Sequence, residues 1–510
     1  MKNYDAIVIG SGFGGSMAAL QLIKAGMKVL MLERGDWVKR SEANWGLKAS
    51  LELSPFYDKS TLLHISAGGN KKTMGLYSCV GGPSVFYGGV SFRFREADFE
   101  KNEQIEGKHA EGWPIKYMDL EPYYTQAERL LNISGVTGID PTEPYRSEPF
   151  PQQASHLADI SQKVKAGAEQ LGLHPFQLPL AINYEDKHRQ TCVNCKSCDT
   201  FACAISAKND LSTMVIPGLI AAGMDLEPNM VVIRLIVEKD RITGVECVSK
   251  KTGEHHIYKS NLTILAAGAL GSPHILLASG LQFKNPGGEV IGRYLMRHLN
   301  AIIFGIFPGV ADKEGRFHKQ LAILDYYFGH PAETQYNKLG SLQQMPTPPM
   351  GLVQNEVPGV AGKLLSQGVR LLSGLLAIAE DQPRFSNSLT IDPANKDQFG
   401  LPRPVIFHQY SARDFAALGI LLKEGKKIMS KAGAIAHYIH HIRTFSHAVG
   451  TIRMGINEKT SALDENCRFR GIDNLYVTDG SVMPTSAALN PSLTIAANAL
   501  RVGELITKIV

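Results

Sequence analysis

Short apolar runs closed by glycine mark both ends of the chain, and its middle lacks them. The run Asp5–Gly10 (DAIVIG) suits a buried parallel strand, because a strand covered on both faces reads as continuous rather than alternating hydrophobicity. A helix is expected from Ser16 to about Ala25, ended by Gly26, and Lys28–Glu33 (KVLMLE) supplies a second strand, so the first 35 residues read as one βαβ unit. From Gly35 to Gly75 the pattern weakens into an excursion over the surface. Helical spacing returns over Trp113–Leu131, and Asp140–Gln153, rich in Pro, Glu and Ser, reads as a loop. A helical stretch over Ser212–Ala222 meets a breaker at Pro217, Met230–Val248 alternates as strands turning at Asp240–Gly244, and Asn261–Ala267 is another buried strand. Residues 301–410 mix strands and helices without a glycine fingerprint, and there Val360–Ala379 carries leucines at helical spacing with Lys363 and Arg370, which favours a core-packing helix over a membrane-facing or lid helix. Glycine-punctuated strands return after His441, so the two ends of the chain form one domain and the middle another.

Composition narrows the class. At 510 residues the chain exceeds what one hydrophobic core holds, and its 44% apolar and 20% charged residues are those of a soluble globular protein. Lys+Arg 53 against Asp+Glu 48 leaves +5 with no basic run, which argues against a nucleic-acid partner. No stretch reaches the roughly 18 apolar residues of a transmembrane helix. The apolar start follows Asp5 and holds Gly10, Gly12, Gly14 and Gly15, unlike a secretory signal, so a cytoplasmic location is expected.

Gly10-x-Gly12-x-x-Gly15 falls where the first strand turns into the helix. The first glycine allows the tight turn, the second lets backbone approach a pyrophosphate, and the third brings helix and strand close. Glu33 ends the second strand where an acid can take ribose hydroxyls, which disfavours NADP but leaves NAD and FAD both open.

Four of the seven cysteines, Cys192, Cys195, Cys198 and Cys203, fall within twelve residues. The opening C-x2-C-x2-C matches a ferredoxin run, but the last gap is four residues and Ala204 stands where that run has proline. An iron–sulfur cluster, a tetrahedral zinc site, a cycling disulfide pair and inert thiols all remain open, with iron–sulfur leading. Cys79, Cys247 and Cys467 stand alone and read as small buried hydrophobes.

Beyond these features, YDAIVIGSGFGGSMAAL with LERG, CVGGPSVFYGG, ILAAGALGSPHILLASG, IGRYLMRHL, HAVGTIRMG and NLYVTDGSVMPTSAALNPSLTIAANAL together resemble the glucose–methanol–choline (GMC) oxidoreductases, from residue 4 to residue 500. The similar branch is that of the bacterial sugar and gluconate dehydrogenases, some of which carry a cysteine-rich insert that holds an iron–sulfur cluster. The resemblance implies an α/β fold in which a Rossmann-like FAD-binding domain is joined to a second, α+β substrate-binding domain. It divides the chain into FAD-binding residues 1–100, a substrate-domain excursion 101–190, a cysteine-rich and FAD-binding part 191–300, a substrate-binding part 301–440, and a last FAD-binding part 441–510 with the catalytic residues.

By the same resemblance FAD replaces NAD. Gly10, Gly12, Gly15 and Glu33 match the ADP-binding positions, Gly81, Gly82 and Ser84 the stretch beside the flavin, Val232 a backbone contact to adenine, and Asp479 and Gly480 the C-terminal flavin motif. Some relatives bind FAD covalently through a histidine in the glycine-rich stretch. This chain has Val85-Phe86-Tyr87 there, so non-covalent FAD is expected.

His447 matches the catalytic histidine and Asn490 its partner. Read alone, His447 is a core histidine and Asn490-Pro491 a helix-capping turn. In the family's chemistry an imidazole takes the hydroxyl proton while hydride passes to flavin N5, and Asn490 holds the substrate oxygen. The resemblance thus implies a dehydrogenase for a sugar, glycoside or other alcohol, with an outside electron acceptor such as a redox protein served through the cysteine cluster. An oxidase making peroxide and a non-redox flavin lyase are the alternatives.

Overall fold

The computed structural model describes residues 3–45, 57–67, 70–107, 112–195, 197–309, 311, 319–348, 350–356, 359–442, 444–445, 447 and onward to 509. Three main sheets organise them. In the seven-stranded sheet, Asn3–Ile9 lies between Val29–Glu33 and His255–Leu265, parallel to both, with Ala6 opposite Val29 on one side and Leu262 on the other. Asp225–Pro228 extends it beyond Val29–Glu33, and Leu475–Val477 adds a parallel strand to His255–Leu265 from the far end of the chain. The antiparallel pair Met230–Glu238 and Arg241–Ser249 completes it. Ile7, Val8, Leu30, Met31, Ile264 and Leu475 are buried here, the burial their uninterrupted apolar runs anticipate. The helix Phe13–Lys24 covers one face and packs on the C-terminal helix Ser492–Ile509.

A six-stranded sheet gathers Phe176–Gln177, Leu299–Ile306, Leu321–Ile323, Gly340–Met345, Leu372–Ala379 and Ala436–His441, backed by the helix Ala412–Lys431. Its neighbouring strands are antiparallel, the α+β character expected of a substrate-binding part. His437, His440 and His441 sit on its edge strand, which pairs with Leu299–Ile306.

Two expectations are corrected. Val360–Ala379 is α-helical over Val360–Gln367 and continues as a 3-10 turn over Gly368–Leu371, but Leu372–Ala379 is a strand between Leu299–Ile306 and Gly340–Met345. A short apolar run does not distinguish a buried helix from a central strand, and two available strand partners decided it. The excursion after Gly35 also holds structure: Tyr57–Ala67 and Asn70–Tyr77 form an antiparallel pair, and the first runs parallel to Pro402–His408, whose other neighbour is Ser388–Lys396. Residues 46–56 of that excursion lie outside the described residues. Among the described residues no helix is long and apolar enough to cross a membrane.

Candidate active site

The glycine turn is built from close approaches. Gly10 has φ +101 and a Cβ there would stand 2.4 Å from the Ala266 carbonyl, while a Cβ on Gly15 would stand 1.9 Å from the Gly10 carbonyl. Gly12 meets nothing within 4 Å, so its bare face opens outward at the N-cap of the helix Phe13–Lys24, where free amides favour an anion. Gly14, unremarked in the spacing argument, matters as much: a Cβ there would collide with the Thr478 carbonyl at 2.5 Å, so it admits the C-terminal segment to the helix start. The Gly12-x-Gly14 alternation was a signal for it that the standard fingerprint passes over.

Ser11 ties the elements together. Its hydroxyl donates to Glu33 Oε2 at 2.6 Å and accepts from the Gly81 amide at 2.9 Å, while the Ser11 and Gly35 amides donate to Oε2 and Oε1 of Glu33. A carboxylate has about four acceptor sites, so one remains for a ligand hydroxyl. Burial raises the Glu33 carboxyl above the ordinary range against these hydrogen bonds. Gly82 would bring a Cβ to 3.1 Å from the Gly12 Cα, so the two glycine stretches lie against each other, and Ser84 closes the second by donating to the Gly81 carbonyl at 2.6 Å. Val232 is buried on Met230–Glu238 opposite Cys247, three residues beyond Asn229, whose amide donates to the Gly35 carbonyl at 3.0 Å. Asp479 accepts from the Gly268 amide through Oδ2 and from the Ser481 amide through Oδ1, each at 2.8 Å. Buried Thr478 Oγ1 beside it has no hydrogen-bond partner among the described residues. A bare glycine face, a helix start, an unused carboxylate position and an unpartnered buried hydroxyl fit a dinucleotide such as FAD.

From Gly480 the backbone leads to His447. The amides of Gly450, Ile452 and Met454 donate to the carbonyls of Gly480, Ser481 and Val482 at 2.8–3.0 Å. On its other side the segment pairs antiparallel through Met296 and Val449. Two steps along that register, in opposite directions, bring His298 opposite His447. Their Nδ1 atoms are 3.0 Å apart and their rings cross at 79°. His298, at φ +57, is held there by Asp381, which accepts from the Arg297 and His298 amides and from the Ser486 hydroxyl.

These contacts assign the protons. The Ser486 carbonyl can only accept, so His298 Nε2, 3.1 Å away, donates to it. Neutral His298 then has an acceptor at Nδ1, and His447 Nδ1 donates to it. His447 Nε2 is left with its lone pair, 3.4 Å from Asn490 Nδ2. Asn490 is oriented in turn by Gln343 Nε2, which donates to its Oδ1 at 2.9 Å. Burial first, then His298 and Lys319, hold the His447 imidazole down to about 3, so it is neutral over the ordinary pH range. His298 and Gln343 escaped the sequence argument because their roles depend on register, although His298 lies within the quoted IGRYLMRHL segment.

The cysteine expectation is not supported. Among the described residues no group of three or more His, Cys, Asp or Glu side chains is arranged to hold a metal ion, and all seven cysteines are free thiols. Cys192 Sγ accepts from the Asn194 amide, Cys195 and Cys198 share a hydrogen bond, and Cys203 is buried; the four thiols are near enough to act on one another electrostatically but, among the described residues, form no ligand set. Burial pushes the Cys192 thiol up to about 12. Protein atoms organise the loop instead: the buried Lys208 ammonium donates to the carbonyls of Tyr87, Cys198 and Phe201 at 2.8–2.9 Å.

GMC oxidoreductase family models match residues 4–300 and 383–499. The chain is 30% identical to 6'''-hydroxyparomomycin C oxidase of Streptomyces lividus, over 99% of this chain and 91% of that protein. It is 25% identical to 2-methyl-1,2-propanediol dehydrogenase of Mycolicibacterium austroafricanum, over 99% and 95%. Among solved structures, pyridoxine 4-oxidase from Mesorbium loti superposes with a TM-score of 0.71 at 18% identity, covering 98% of each chain.

Proposed function

The chain belongs to the GMC oxidoreductase family of FAD-dependent enzymes acting on CH–OH groups, and on that premise we propose that it oxidises an alcohol or sugar hydroxyl with His447 as the base. FAD, when bound, supplies the two-electron acceptor. Gly10, Gly12, Gly15, Glu33, Gly81, Gly82, Ser84, Val232, Asp479 and Gly480 would hold it without a covalent bond.

His447 Nε2 takes the hydroxyl proton, because Nδ1 is already committed to His298. The Asn490 amide, steadied by Gln343, donates to the substrate oxygen and keeps that oxygen within reach of Nε2. As the proton leaves, negative charge grows on the oxygen, and a donor already aimed there costs no reorganisation. The single observation that carries this reading is the ordered chain from the Ser486 carbonyl through His298 to His447 and Asn490, standing beside an open glycine cradle.

Mixing the FAD-loaded protein with sugars, diols and simple alcohols without oxygen is expected to bleach the flavin. His447→Ala is expected to slow the bleaching by at least ~100-fold with FAD still bound. Reduction that survives the substitution rules His447 out as the base. The electron acceptor is a separate matter: peroxide formed in step with substrate loss selects an oxidase, and its absence with turnover on an artificial acceptor selects a dehydrogenase.

A further inference from the structure

A partly buried ion pair stands close to this site and no part of the proposed chemistry uses it. Lys319 Nζ lies 2.8 Å from Asp199 Oδ2, with the lysine side chain 4% exposed and the aspartate 26%. Both rest on Gly88, where a Cβ would stand 2.1 Å from Asp199 Oδ1 and 3.1 Å from Lys319 Nζ. Two chain paths join this spot to Asn490. The carbonyl of Val90, two residues past Gly88, accepts from the Ser492 hydroxyl, two residues past Asn490, at 3.3 Å. Lys319 leads into Leu321–Ile323, where Ala322 pairs with Gln343, the residue that orients Asn490. Lys319 and Asp199 also act electrostatically on His447 with opposite sign.

We propose that Asp199 and Lys319 form a substrate subsite facing His447 and Asn490 that selects polyhydroxylated ring alcohols, neutral or aminated, over aliphatic alcohols. This rests on the oxidoreductase reading above and names its substrate class. The physical case begins with cost. An ion pair withdrawn from water is no better for stability than apolar residues of the same size, so its retention beside a reacting group calls for another role. Its arrangement suggests one. The carboxylate is the more exposed of the two, so an entering molecule meets an acceptor, which hydroxyl and ammonium donors satisfy and a methylene chain does not. Thr200, next to Asp199, is held at φ +69 while its amide donates to the Phe86 carbonyl at 2.8 Å, so the loop presents the carboxylate in a conformation that non-glycine residues seldom take. Gln343 Oε1 adds a second acceptor on the Asn490 side: it is buried and has no hydrogen-bond partner among the described residues. An aliphatic chain would strip water from these acceptors and return nothing, a penalty much larger than the gain from one more methylene.

The test uses the FAD-loaded protein and anaerobic flavin bleaching with methyl glucoside, glucosamine and 1-hexanol. A second-order reduction constant at least ~100-fold higher for a carbohydrate than for hexanol is expected. Asp199→Asn is expected to cut that carbohydrate-to-hexanol ratio ~10–100-fold through substrate affinity rather than the limiting rate, most for glucosamine if the aminated ring is the better ligand. Lys319→Gln, which removes the ammonium beside the carboxylate, is expected to shift the balance toward glucosamine over methyl glucoside. Hexanol bleaching the flavin as efficiently as the carbohydrates would overturn the subsite, as would substitutions that lower all three rates equally. A flavin that no alcohol bleaches would overturn the oxidoreductase reading and take the subsite with it.

Discussion

At the residue scale, two imidazoles of the same composition differ because one touches a carbonyl. The Ser486 oxygen takes the His298 Nε2 proton, which obliges His447 to donate from Nδ1 and keep Nε2 bare. His298 is therefore a positioning residue for the proposed base. In His298→Ala the tautomer is no longer fixed and water enters, so the His447 imidazole rises from about 3 toward 6.5. Protonated His447 cannot accept, so flavin reduction falls as pH drops through that value. The acid limb of the pH profile is expected to move upward, with a rate loss of ~10-fold at neutral pH. His298→Gln, whose carbonyl can accept from Nδ1, is expected to restore most of both. An unmoved limb in the alanine variant would assign His298 to packing alone. His447 and Asn490 could be singled out from the sequence as the proposed pair because two contiguous segments carry them, and the structure sets them 3.4 Å apart. His298 was not, since a register between distant segments makes it a partner.

At the scale of elements, the cysteine loop and the strand Leu372–Ala379 teach the same lesson. Cysteine spacing raised a metal site, yet Lys208 already supplies three donors to the carbonyls around the loop. Lys208→Met leaves those carbonyls without their donor at roughly 1–3 kcal/mol for each buried group left unpaired. Faster limited proteolysis within 192–203 is the expected result, and unchanged cleavage would mean that the loop is held elsewhere. In Leu372–Ala379, leucines at helical spacing became a strand because sheet neighbours on both sides satisfy its amides and carbonyls. Local pattern measures how apolar a segment is, and its partners decide which backbone it adopts.

At the scale of the whole molecule, the proposed FAD cradle is assembled from segments more than 400 residues apart, with Leu475–Val477 joining His255–Leu265 by a three-residue register. A ligand bridging such segments stabilises the folded state by mass action, ~2.7 kcal/mol at a hundredfold excess over its dissociation constant. FAD-stripped protein is expected to melt lower, and added FAD to raise the melting temperature in proportion to the logarithm of its concentration. A melting temperature insensitive to FAD would argue against this cradle. The sequence by itself determined the glycine turn with its flanking strands and the family, and it singled out the two residues proposed for catalysis, since each is written in contiguous side chains whose chemistry is local. Tertiary structure alone decided which nitrogen of His447 is bare, what holds the cysteine loop and which charges lie near the proposed base. Those properties depend on distances between residues far apart in the chain, and hydrogen bonds and charges act through distance rather than through sequence separation.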